Sequence, residues 1–223
     1  MSGIAQRAGL SPFTAGLLLL AFGTSLPELF VNGAALLRGT PSLALGNAVG
    51  SNLVNLGLTL PLAALFASVQ VRLRLLTPLL WVLVIASLLV MVFGLDGRLN
   101  RLEGGLLLLG FVLVVVKVIV RGRSEAPEVR APVEAYAATR TVTWLNLLRL
   151  LIGVVLLGYG ARDVVVSMGT LAPALGLTPL MAGLLPVAIG TALPEIAAAI
   201  AAARRGQGDM VLGHVIGLSL IHI

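Results

Sequence analysis

Two glutamates stand in the middle of long apolar runs, and each closes the same short motif. Gly23-Thr24-Ser25-Leu26-Pro27-Glu28 is the first copy and Gly190-Thr191-Ala192-Leu193-Pro194-Glu195 the second. A carboxylate at such a depth costs roughly 3 kcal/mol on insertion scales and normally marks an ion path. The residues around it suit that role. Pro27 has no N–H and crowds the carbonyl of Gly23, which is thereby released from the helix ladder; Pro194 does the same for Gly190. Thr24 falls one turn before Glu28, on the same helical face. Carboxylate, hydroxyl and free carbonyl together are the all-oxygen ligand set of hard cations such as Ca2+ and Na+. The plainer alternative is a proline kink beside a protonated, hydrogen-bonded glutamate. Two copies at matched positions weigh against it.

A second polar set follows the first motif, in Gly46-Asn47-Ala48-Val49-Gly50-Ser51-Asn52-Leu53-Val54-Asn55. Asn47, Ser51 and Asn55 recur every four residues and form one stripe. Gly46 and Gly50 form a neighbouring stripe of small residues. Such stripes also serve as packing interfaces with polar glue in membranes. Next to the glutamate motif, cation coordination is the preferred reading.

The elements that position these groups are membrane helices. Of 223 residues, 58% are hydrophobic and 11% charged, more apolar surface than a water-soluble domain of this size hides. Runs of about 20 apolar residues span a bilayer, and six occur: 10–36, 42–68, 76–95, 102–120, 145–168 and 177–203, with a seventh starting near 209. The expected fold class is all-α, a polytopic transmembrane helix bundle. The polar stretch 121–143, with Pro127 and Pro132, reads as a loop. It separates a first half, 1–120, from a second, 144–223. With the start of the chain in the cytoplasm, 11 of the Lys and Arg residues face inward and 4 outward, as the positive-inside rule requires. The net charge of +6 thus belongs to the connectors and implies no nucleic acid. No cysteine is present, which excludes thiolate metal sites. No nucleophile–base pair or nucleotide loop supports an enzyme, and no cofactor is implied.

The two halves are related. A shift of 167 residues aligns 9–50 with 176–217 without a gap, with 20 of 42 positions identical. The matches include Gly16/Gly183, Thr24/Thr191, Pro27/Pro194, Glu28/Glu195, Arg38/Arg205, Gly46/Gly213 and Gly50/Gly217. By the segment count one copy enters its leading helix from the cytoplasm and the other from outside. The expectation is therefore inverted repeats, a signature of secondary transporters.

GTSLPE followed by GNAVGSNLVN resembles the first alpha repeat of the sodium/calcium exchanger family, and GTALPE followed by GHVIG most of the second. The resemblance implies ten helices in two inverted sets of five, with cation sites halfway across the membrane. It implies Glu28 and Glu195 as central ligands shared by Ca2+ and Na+. Thr24, Ser51 and the carbonyl of Ala21 would line one sodium site, and Asn55 would complete the central position. Thr191 and the carbonyl of Ala188 would be the second-repeat counterparts. The Gly50-Ser51-Asn52 run favours the sodium/calcium branch over proton/calcium relatives. Departures stand in the second repeat: His214 for Asn47, Leu218 for Ser51 and His222 for Asn55. Met1 aligns with Met168, at the far end of the 145–168 span, so the chain is expected to hold helices two to seven and a stub of eight.

The expected function is secondary active antiport of Na+ against Ca2+ by an integral protein of the bacterial inner membrane, with lipid and the two ions as its partners. A proton-coupled or other divalent-cation exchanger is the alternative within that class. A truncated, nontransporting membrane scaffold is the alternative outside it.

Overall fold

A computed structural model describes residues 21–66, 73–122, 143–206 and 208–221. Among these residues the regular structure is entirely helical. Helix α1, Ala21–Thr24, leads through Ser25 into α2, Leu26–Leu37. Helix α3 is Pro41–Phe66, α4 is Leu73–Phe93 and α5 is Arg101–Gly122. Helix α6 is Thr143–Ala174, α7 is Pro179–Thr191, α8 is Leu193–Arg204 and α9 is Gly208–Ile221.

The 167-residue shift seen in the sequence carries helix boundaries onto one another. Leu26–Leu37 maps onto Leu193–Arg204, and the first part of α3, Pro41–Val54, maps onto Gly208–Ile221. The stop signals match too. Gly39 and Gly206 close α2 and α8 with φ of 71° and 73°, a left-handed conformation that costs glycine no Cβ clash.

Burial is reversed relative to a soluble protein. The buried hydrophobic residues are dominated by alanine and valine, among them Val31, Ala35, Ala161, Val165, Ala182 and Val187. Large aliphatic side chains point outward, Leu37 being 91% and Leu65 81% exposed. Small residues inside and leucine outside is the arrangement that lipid permits, because lipid tails are as apolar as leucine. The protein is an integral membrane protein.

Of the expected spans, Pro41–Phe66 and Leu151–Ala174 have the length and composition to cross a bilayer alone. Pro179–Thr191 with Leu193–Arg204 makes a third, bent by 42°. Helix α2 is apolar but short, and its expected lead-in, 10–20, lies outside the described residues, as do most of the 121–143 loop and His222. The 145–168 span needs correction. Helix α6 runs six residues past Met168, to Ala174. The stop is Gly176, at φ 67°, where Leu177 N–H returns to the Ala172 carbonyl at 2.8 Å.

Two π-helical turns interrupt the α pattern, Asn55–Thr59 within α3 and Gly183–Val187 within α7. The second forms the most extensive contact with α3. Glycine makes this possible: a Cβ on Gly46 would meet the Leu180 carbonyl, one on Gly50 the Leu184 carbonyl, and one on Gly183 the Leu43 carbonyl. Backbone thus lies against backbone. Helix α6 packs along α2, and α9 against α8 and α1.

Candidate functional site

Both Pro-Glu motifs sit at helix breaks. Ser25 separates α1 from α2 and Ala192 separates α7 from α8, each two residues before its proline. The chain resumes with Leu-Pro-Glu as a new first turn, where proline's missing N–H is one of the unbonded donors in any case. The glutamates therefore stand in the first turns of α2 and α8, where the helix dipole favours negative charge.

Glu28 and Glu195 are 1% and 0% exposed. The Thr191 hydroxyl lies beside the Glu28 carboxyl, and Thr24 beside that of Glu195. The two carboxyls are close enough to act on each other electrostatically. No hydrogen bond of ordinary length closes on any of their four oxygens among the described residues. The break at Ser25 interrupts the turn between Thr24 and Glu28, and each threonine lies beside the other repeat's glutamate.

The α3 stripe faces inward throughout. Asn47, Ser51 and Asn55 are all fully buried. Among the described residues the Ser51 hydroxyl and the Asn55 Nδ2 meet no hydrogen-bond partner, while Asn55 Oδ1 accepts from the Thr59 hydroxyl at 3.2 Å. Asn47 joins three helices: its Nδ2 donates to Asn32 Oδ1 of α2 at 2.8 Å, and its Oδ1 accepts from Thr191 Oγ1 of α7 at 3.3 Å. Ala188 is buried, and its carbonyl accepts from Ala192 N–H at 3.1 Å and faces Thr191 Oγ1 at 3.3 Å. Ala21 opens α1 at the equivalent place in the first repeat.

Sequence reasoning missed Asn32, Ser25 and Thr59. Asn32 and Thr59 were within reach of the same spacing argument, since each lies four residues beyond a chosen residue, Glu28 and Asn55. In the second repeat His214 is fully buried against the backbone of Glu195, with no hydrogen bond of ordinary length on either ring nitrogen among the described residues, and Leu218 is fully buried too.

An uncompensated buried polar atom is costly. Among the described residues, eight oxygens and nitrogens on Ser25, Glu28, Ser51, Asn52, Asn55 and Glu195 share that condition. The donor set is oxygen-rich and carries two carboxylates, which fits hard cations.

Comparison with known proteins gives a consistent answer. The family described as sodium/calcium exchanger protein matches residues 1–120 and 145–223. The inner membrane protein YrbG of Escherichia coli is 33% identical over 99% of this chain and 69% of its own length. The sodium/calcium exchanger MaX1 of Methanosarcina acetivorans is 27% identical over the whole chain and 73% of its own. A solved structure of the sodium-calcium exchanger NCX_Mj, soaked with 100 mM Na+ and 10 mM Sr2+, superposes with a TM-score of 0.70 at 32% identity, over 99% of this chain and 70% of that one.

Proposed function

The chain belongs to the sodium/calcium exchanger protein family, and from that premise we propose that it exchanges Na+ for Ca2+ through one intramembrane site built on Glu28 and Glu195. Membership of an exchanger family carries cation antiport; the ion pair and the residues are our reading. The observation that carries it is the burial of both carboxylates with no hydrogen bond of ordinary length on their oxygens among the described residues. Hydroxyls of Thr24 and Thr191 adjoin them, and the buried Ser51 and Asn55 add further oxygens.

Antiport follows from competition for charge. One Ca2+ or several Na+ neutralise the same two carboxylates, so loaded forms cross conformations that the empty, doubly charged form avoids. The helix breaks at Ser25 and Ala192 supply hinges near the site, and two inverted halves rocking about it would expose it to each side in turn. Ala21 and Ala188, at the leading ends of the two helical turns before the breaks, are assigned as carbonyl donors. The loop 121–143 links the halves 1–120 and 144–223 on the cytoplasmic side.

The test is 45Ca2+ uptake by proteoliposomes loaded with Na+. An outward Na+ gradient should drive uptake, and collapsing it should stop uptake. Uptake driven by a proton gradient and indifferent to Na+ would replace Na+ as the coupling ion.

A further inference from the structure

We propose that Asn32 and Asn47 form a clamp that aims the Thr191 hydroxyl, so that its oxygen rather than its proton faces the cation. The proposal rests on the cation-site reading above and deepens it. A threonine hydroxyl has one proton and two lone pairs. Donated to the adjacent Glu28, the proton would occupy the space between the two groups and set its positive end against any cation there. To act as a ligand, the hydroxyl must send its proton elsewhere.

Two acceptors are within reach, Asn47 Oδ1 and the Ala188 carbonyl, both at 3.3 Å. The Ala188 carbonyl already takes the Ala192 N–H at 3.1 Å. Asn47 offers its oxygen only in one of the two orientations of its amide. In the other its Nδ2 would donate to Thr191 and consume the lone pair a cation needs. Asn32 selects the first orientation by accepting Asn47 Nδ2 at 2.8 Å. Asn47 is fully buried. Asn32 stands one turn past Glu28 on α2, which ties the clamp to the helix that carries the carboxylate.

The second repeat has no equivalent. The 167-residue shift carries Asn47 to His214 and Asn32 to Ala199, both fully buried. A methyl group accepts no hydrogen bond and cannot orient its neighbour. The asparagine pair that sets Thr191 in advance as a ligand therefore has no counterpart at the positions the repeat relates to it. Asn32 and Asn47 are positioning residues that act through Thr191 alone.

The experiment is a double-mutant cycle on Ca2+ binding, which needs no transport. Binding of 45Ca2+ to the full chain in detergent is measured for Asn32→Ala, Thr191→Val, Thr24→Val and the two pairs containing Asn32→Ala. Asn32→Ala should weaken binding about three- to tenfold, the size of one lost hydrogen bond, with the number of bound ions unchanged. Added to Thr191→Val it should have no further effect; added to Thr24→Val its factor should multiply. Should Asn32→Ala not insert, Asn32→Ser, too short to hold the Asn47 amide, carries the same cycle. Factors that multiply in both pairs, or unchanged affinity in Asn32→Ala, would overturn the clamp while leaving the cation site standing. Unchanged affinity in Thr191→Val would remove Thr191 from the site, and the clamp with it.

Discussion

Charge and shape separate at Glu28. Glutamine keeps the volume and hydrogen-bonding reach of glutamate but not its charge. A protonated, structural Glu28 would be mimicked well by Gln, and activity would survive Glu28→Gln. An ionised ligand would not be, because a divalent ion would lose one of only two full charges facing it. We therefore expect Glu28→Gln to lower Na+-driven 45Ca2+ uptake about a hundredfold or more, with insertion and monodispersity retained. Glu195→Gln should behave alike, since the repeat gives both carboxylates equivalent places. Asn55→Ala removes a neutral group that water partly replaces, so a loss of about tenfold or less is expected. Uptake at the wild-type level by a well-folded Glu28→Gln protein would falsify the charge argument. The members of the site were legible in the sequence because a polar residue amid apolar runs has to be explained. Their partners were not. That Thr24 lies beside Glu195 and Thr191 beside Glu28 depends on how two halves interleave, which no spacing within one motif encodes. The position of Asn32 was within reach of spacing, but its partner Asn47, on another helix, was not.

Glycine and proline set the helices' relations more than hydrophobicity does. The breaks at Ser25 and Ala192 were foreseen from the prolines that follow them; the Gly46 and Gly50 stripe allowed a close helix approach but did not name α7 as the partner. The π turns at Asn55–Thr59 and Gly183–Val187 were not, since a shift from i+4 to i+5 bonding leaves the apolar pattern almost unchanged. Nor was the end of α6 at Ala174, which the left-handed Gly176 sets just beyond it. The close contact makes a sharp prediction. Gly46→Ala, Gly50→Ala and Gly183→Ala each drive a methyl into a backbone carbonyl of the facing helix. Backbone cannot step aside as a flexible side chain can, so each should cost about 1–3 kcal/mol. Gly33→Ala and Gly57→Ala, where a Cβ meets nothing within 4 Å, should be neutral or raise stability by a few tenths, because alanine is the better helix former. Thermal unfolding in detergent, read by tryptophan fluorescence or by loss of the monodisperse peak, ranks the five. Equal midpoints would mean that α3 and α7 are not in contact.

At the scale of the whole molecule the repeat has a consequence that no single helix shows. Residues related by the 167-residue shift should lie on opposite sides of the membrane if the halves are inverted, and on the same side if they are parallel. Arg38 and Arg205 are such a pair, each immediately after its helix, α2 or α8, and both exposed. The distribution of basic residues assigns Arg38 to the outer face and Arg205 to the cytoplasm. The chain has no native cysteine, so one introduced thiol is the only label. A membrane-impermeant maleimide should modify Arg38→Cys in intact cells. Arg205→Cys should react only after permeabilisation, as should Ser124→Cys in the expected cytoplasmic loop. Inversion is what makes one fixed site serve two directions. In the proposed mechanism each half would present its broken helix to the common carboxylates from the opposite side, so that closing one approach and opening the other would be a single motion with exchanged roles. Labelling of Arg38→Cys and Arg205→Cys from the same side would remove that symmetry. Equal burial of the two glutamates would then need a different explanation, and alternating access about a shared site would lose its structural basis.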